Sequence, residues 1–280
     1  MNLGHDTIVT LGTRLPPSLG VLGRLQALLD EPDTGLDDIV ELVRIDPALT
    51  FQVIKLANSA LYGLRSHCES LEDAVARVGF GDIHQIVGVA VARQSFQGEL
   101  PVYDIAGGRL WENAVATASL AAAFAGLAGA DARQAYATGL LRNVGKVVLN
   151  NHAPHLRYPG EGMATDAQAW EKHQHGFSSA EVAAVLLDHW RFSPEMVGAV
   201  CHHRAPEGNA EFSPGAARLH LACAGTVGWG CHLPGEASGW RRDESMLALA
   251  GVPADRLDGA IEQARLQFGK FALLEWSCAA

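Results

Sequence analysis

The chain has 280 residues, 48% of them apolar, so one large domain or two modest ones can bury a sizeable core. A formal net charge of −10 argues against a general nucleic-acid binder, which needs a basic face to neutralise phosphates, but leaves room for a small basic pocket. Five scattered cysteines, Cys68, Cys201, Cys223, Cys231 and Cys278, form no C-x-x-C pair, which points to a reducing cytoplasm and away from a disulfide framework.

Helical periodicity runs along nearly the whole chain. The opening M-N-L-G-H-D-T-I-V-T lacks a basic start before an apolar run, so residues 1–14 read as a tail with no signal peptide. Pro16 and Pro17 precede S-L-G-V-L-G-R-L-Q-A-L-L-D, with leucines at helical spacing. L-D-D-I-V-E-L-V follows, and Pro47 opens A-L-T-F-Q-V-I-K-L-A-N-S-A. N-S-A-L-Y-G, residues 58–63, ends that helix and turns the chain, with Tyr62 packing beneath it. Ser70 is placed to cap S-L-E-D-A-V-A-R-V, and residues 82–96 form another apolar helix, making about five short helices before Gly98.

Residues 98–108, with Pro101 and a glycine pair, read as a joint. Helices over 110–126 and 131–150 come next, then a Pro- and Gly-rich loop over 153–162. The stretch 114–130 is the most apolar candidate for a membrane span, but it is short and dominated by Ala, Gly, Ser and Thr, which suits a buried helix with close neighbours. Thr165 with Gln168 and Ser178 with Glu181 make capping boxes, and Ser193 before Pro194 starts a helix ending in C-H-H-R-A-P. Two or three further helices finish the chain, so the fold class is all-α.

Several of these stretches resemble the HDOD domain, a bacterial relative of the HD-type phosphohydrolases. They are L-P-P-S-L; I-D-P-A-L-T-F-Q-V-I-K-L-A-N-S-A-L-Y-G; S-L-E-D-A-V-A-R-V-G-F; L-W-E-N-A-V-A-T-A-S-L; A-T-G-L-L-R-N-V-G-K-V-V-L; and the run from W-E-K-H-Q-H-G-F-S-S to C-H-H-R-A-P. The resemblance implies an HDOD domain over 15–208, with an N-terminal helical part over 15–98 packed on an HD-like bundle over 108–208, and closing helices over 209–280. It also implies a role in bacterial signalling, acting on other signalling proteins, usually without demonstrated catalysis. No receiver, GGDEF-like or EAL-like domain fits in the rest of the chain.

An HD phosphohydrolase holds divalent metal with a His on one helix, a His-Asp pair on the next and later His and Asp ligands. By the matched stretches those positions fall on Asn113, on Arg142 and Asn143, and on Ser179; only the pair His202 and His203 retains imidazoles. A guanidinium has no lone pair to give and is always positive, so Arg142 repels a divalent metal at close range. These degenerate positions imply no metal, no other cofactor and no catalytic residue.

Other readings of the same residues stay open. Arg142 and Asn143 also fit the polar face of a helix, and Ser178 and Ser179 a helix start. His202 and His203, at a helix end, fit a capping role better than ligation. His173 and His175 read as surface or loop residues, and the spacings of Cys201, Cys223, Cys231 and His232 match no zinc pattern. Arg142 and Lys146, one turn apart, offer with His202 and His203 a pocket for a small anionic ligand such as a nucleotide phosphate. The alternative function is a residual metal-dependent phosphohydrolase built on His202, His203 and either Asp188 or His173. Neither a nucleic acid nor a membrane is an expected partner; the oligomeric state is not legible.

Overall fold

The computed structural model describes residues 3–59, 62, 67–160 and 166–276. Among these it contains fifteen α-helices and three single 3-10 turns, with no strand beyond one isolated bridge between Leu100 and Ile105. The chain is all-α, as its periodicity predicts.

Six helices, not about five, precede Gly98: α1 (His5–Gly12), α2 (Ser18–Asp30), α3 (Leu36–Arg44), α4 (Pro47–Ala57), α5 (Leu71–Val78) and α6 (Phe80–Phe96). The extra one is α1, read from sequence as tail. Its fully buried Ile8 and the Leu3 amide, which donates to His175 O at 2.9 Å, tie it to the rest of the fold. Burying one such side chain contributes about 2 kcal/mol, enough to order a short helix that propensity alone would leave frayed.

Local chemistry sets most boundaries. Asp46 accepts from the amides of Ala48 and Leu49 at the start of α4, where Pro47 has no amide to satisfy. Ser70 caps α5 through the Asp73 amide. The apolar stripes of α3 (Ile39, Val40, Leu42, Val43) and α5 (Leu71, Ala74, Val75) turn inward. Helix α6 is buried on nearly all sides through Ile83, Ile86, Val87, Ala90 and Val91, and packs on α2 and α4 as well as on the next helices.

Those are α7 (Arg109–Leu127), α8 (Ala132–Leu141), α9 (Val144–His152), α10 (Ala167–His175), α11 (Ser179–His189) and α12 (Pro194–His202). Thr165 and residues 60, 61 and 63 lie outside the described residues; α10 is capped by Asp166, which accepts from the Gln168 amide at 2.6 Å. Ser178 and Glu181 form the expected capping box, and Ser193 caps α12. The alanine-rich α7 is buried, and small residues let neighbours close in: a Cβ on Gly139 of α8 would sit 2.7 Å from Ala118 Cα. Among the described residues no helix is long and apolar enough to cross a membrane.

The single helix expected over 131–150 is instead two, α8 and α9, broken at Arg142 and Asn143. Asn143 has φ −94° and ψ 3°, the turn-like bridge region. Gly145, just beyond, lies so close to α11 that an added Cβ would be 1.9 Å from Ser179 O. Tertiary packing thus overrides local periodicity.

Helices α13 (Ser213–Gly228), α14 (Glu244–Ala250) and α15 (Leu257–Trp276) close the chain. They share with α7 a second core of Leu120, Phe124, Leu221, Met246 and Leu247. The larger core runs from α1 to α12 and also takes in Leu219 and Cys223 of α13 and Phe268 of α15.

Candidate functional site

The break between α8 and α9 turns Arg142, Asn143 and Lys146 into the centre of the bundle, each at most 3% exposed. Asn113 of α7 faces them. Its Oδ1 accepts from Arg142 Nη2 at 2.9 Å and from Asn143 Nδ2 at 2.8 Å, while its Nδ2 donates to Cys231 O at 2.8 Å. Neither Arg142 nor Asn143 is a surface residue on a helix's polar face.

Two carboxylates complete the cluster. Glu236 accepts from Arg142 Nη2 at 2.9 Å and lies 3.3 Å from Lys146 Nζ. Glu171 of α10 accepts from Lys146 Nζ at 3.0 Å and from the Ser179 amide at 2.6 Å. The Lys146 ammonium also sits 4.6 Å over the Tyr103 ring. Burial alone would raise the Glu236 carboxyl, but Arg142 and Lys146 hold it down at about 2. Burial pushes Lys146 down, and Glu171 with Glu236 more than reverses this. Arg142 and Lys146 are therefore not free cations. With two positive and two negative groups, the cluster is self-neutralised.

Glu171 and Glu236 carry no role in the sequence reading. Glu171 stood in the matched stretch W-E-K-H, one residue past an obvious tryptophan, with nothing to mark it as buried. Glu236 comes from the loop 229–243, 94 residues from Arg142 in the chain.

That loop lies across the site. Arg109 Nη2 donates to His232 O at 3.1 Å and also reaches Gly230 O. Gly235 has φ +73°, and a Cβ there would meet the Tyr158 hydroxyl at 2.6 Å, so glycine is needed just before Glu236. Trp240 stacks on His203 at 5.9 Å between centroids and receives the Arg204 guanidinium at 4.2 Å. Arg204 also pairs with Asp166. The Arg241 amide donates to His220 Nε2 at 2.8 Å, leaving His220 Nδ1–H to donate to His203 O at 2.8 Å.

His203 is buried and donates from Nδ1 to Val200 O at 2.7 Å, while Nε2 has no partner. Burial first, then Arg142, holds its pKa down to about 3, so it is neutral and adds no charge to the helix end. His202 is half-buried and stacks on Phe212 at 6.2 Å. His173 is exposed, but His175, expected at the surface, is 2% exposed; its ring packs edge-on against Trp170 and His152. Ser179 is buried as the first residue of α11. Among the described residues no three His, Cys, Asp or Glu side chains converge as a metal-binding group.

The HDOD domain profile matches residues 15–206. The chain belongs to the HDOD domain family. It is 28% identical over 214 residues to an uncharacterised protein of Treponema pallidum, covering 71% of this chain and 40% of that one. The chain thus spans about two-fifths of that relative's length. Among solved structures it resembles an HDOD domain protein from Geobacter sulfurreducens, at TM-score 0.67 and 20% identity over 95% of this chain and 98% of that one. It also resembles a candidate signal transduction protein from Marinobacter aquaeolei, at TM-score 0.71 and 21% identity over 96% of this chain and 60% of that one. At these identities the structures speak to the HDOD fold alone.

Proposed function

We propose that this HDOD protein is a non-catalytic regulatory module that acts by binding other signalling proteins. The observation that carries this is the self-neutralised cluster of Arg142, Lys146, Glu171 and Glu236, built around Arg142, one of the positions matched to a metal centre. These residues do not fit a divalent metal. Arg142 has no lone pair, and Asn113 Oδ1 is taken up by two donors. The two carboxylates are already held by fixed cations, which do the charge-balancing a metal would do in an enzyme.

A small anion on Arg142 and Lys146 is disfavoured for the same reason. It would bring net negative charge into a buried site beside Glu171 and Glu236. The alternative phosphohydrolase needs His202 and His203 to join Asp188 or His173. Asp188 and His173 are exposed at the ends of α11 and α10, while His203 is sealed under Trp240. The acidic balance supports a protein partner over a nucleic acid, and the four cysteines free of disulfides among the described residues support a reducing compartment.

Metal content tests the reading. Untagged protein exposed to iron, manganese and zinc should hold less than about a tenth of an equivalent by elemental mass spectrometry, where an intact HD centre holds one or two. A stoichiometric metal together with hydrolysis of a generic phosphodiester would overturn it.

A further inference from the structure

The N-terminal part carries a groove of about 780 Å³, within the range of ligand and peptide sites. One wall is α4, with Phe51, Ile54 and Lys55; another is Arg93 of α6; the third is the segment 67–69. Asn58, in the K-L-A-N-S motif, holds that third wall. Its Nδ2 donates to Cys68 O at 2.9 Å and its Oδ1 accepts from Cys68 N at 2.7 Å, a two-sided pairing like that between strand neighbours. The motif therefore builds the groove as well as ending a helix.

Two features indicate what the groove takes. Phe51, in the wall formed by α4, is 64% exposed. It is one of only four large apolar side chains exposed among the described residues. Exposed aromatic area of this kind, rimmed by charge, is typical of protein contact surfaces. Lys55 and Arg93 have no carboxylate partner among the described residues, which leaves their charges available to a ligand in the groove. Among the described residues Glu69 is the one acid lining the groove, against Lys55 and Arg93, so this lining is locally cationic on a chain of net charge −10.

We infer that this groove docks a short peptide segment of a partner protein, presenting an apolar side chain to Phe51 and Ile54 and flanking carboxylates to Lys55 and Arg93. A free phosphate would use the cations and leave Phe51 uncovered. The inference rests on the reading of the chain as a binding module and gives that reading a location.

The test is fluorescence anisotropy of a labelled hexapeptide of alternating leucine and glutamate, titrated with the full chain at low salt. Saturable binding is expected, weakening as sodium chloride is raised. The same peptide with lysine for glutamate should bind at least about tenfold more weakly, as should Lys55→Glu and Arg93→Glu proteins. Phe51→Ala should cost about fivefold or more, while Phe80→Ala, at an exposed aromatic elsewhere, should cost nothing. Phe51 and Lys55 are exposed, so these variants keep their fold, checked by circular dichroism. No binding, equal binding of the two peptides, an unaffected Phe51→Ala protein, or displacement by inorganic phosphate at the peptide's own concentration would each overturn the inference. Metal content of the same preparation separates the two claims. Metal-free protein that ignores the peptide defeats the groove alone, whereas a stoichiometric metal defeats the module reading.

Discussion

Glu236 is where the chemistry of the site concentrates at the residue scale. A buried ion pair is weak evidence of net stability, because desolvating its charges offsets most of their attraction; removing one partner is what costs. Glu236→Gln leaves Lys146 with Glu171 and Arg142 with no carboxylate partner among the described residues, and should destabilise the protein by about 3 kcal/mol in urea denaturation. Replacing Arg142 and Glu236 together by leucine should cost clearly less than the sum of the two single changes, since no uncompensated charge remains from that pair. Additive costs would mean that the two groups do not act as a pair. The pH dependence has a definite sign. Glu236, held at about 2, contributes stability that is full above its ordinary 4.5 and lost as pH falls through 2. His203, held at about 3 against an ordinary 6.5, is neutral in the fold but charges when unfolded, so stability also falls as pH drops below 6.5. His203→Gln should remove about 1.4 kcal/mol per pH unit from that slope between pH 6.5 and about 4. Denaturation midpoints at three pH values measure it, and an unchanged slope would refute the assignment.

At the scale of elements, glycines decide how the helices meet. Gly145 admits the Ser179 carbonyl between α9 and α11, and a Cβ there has no room because the neighbour is backbone. Gly145→Ala should therefore cost about 3 kcal/mol or more and split the α8–α9 turn from its support. Gly81 in α6 meets nothing within 4 Å. Gly81→Ala should instead stabilise by about 0.5 kcal/mol, because only the unfolded chain loses freedom. The two thermal shifts should have opposite signs; a shared sign would show that packing is not what separates them. The helix starts at Ser70, Ser178 and Ser193 were legible because a cap is a contact between residues two or three apart. The break at Arg142 was not, since the pattern L-L-R-N-V-G-K-V-V-L continues a helical stripe and the interruption depends on α11.

Across the whole molecule, α1 and the loop 229–243 close the fold from positions far apart in the chain. Removing residues 1–12 would take away the fully buried Ile8 and uncover Leu186 of α11, against which Gly12 packs. The truncated protein should lose about 2 kcal/mol or more of stability and gain fluorescence with a dye for exposed apolar surface. An unchanged midpoint would return α1 to the status of a tail. The loop 229–243 supplies Glu236, the Cys231 carbonyl and Trp240, and the N-terminal part supplies the groove at Phe51. A sealed charge cluster in the bundle and an open surface on the N-terminal helices suit the proposed module, whose binding surface would lie apart from the positions matched to an HD metal centre.

By itself the sequence determined the all-α class, most helix starts, the HDOD resemblance and the lack of lone pairs at Arg142. All of these follow from neighbouring residues or from the identity of a single side chain. Tertiary structure alone decided that Arg142 and Lys146 are neutralised, that His175 and His203 are buried, and that Asn58 holds a groove wall. The reason is physical. A buried charge is defined by its partner, and the partner of Arg142 lies 94 residues away on a loop with no periodicity to announce it.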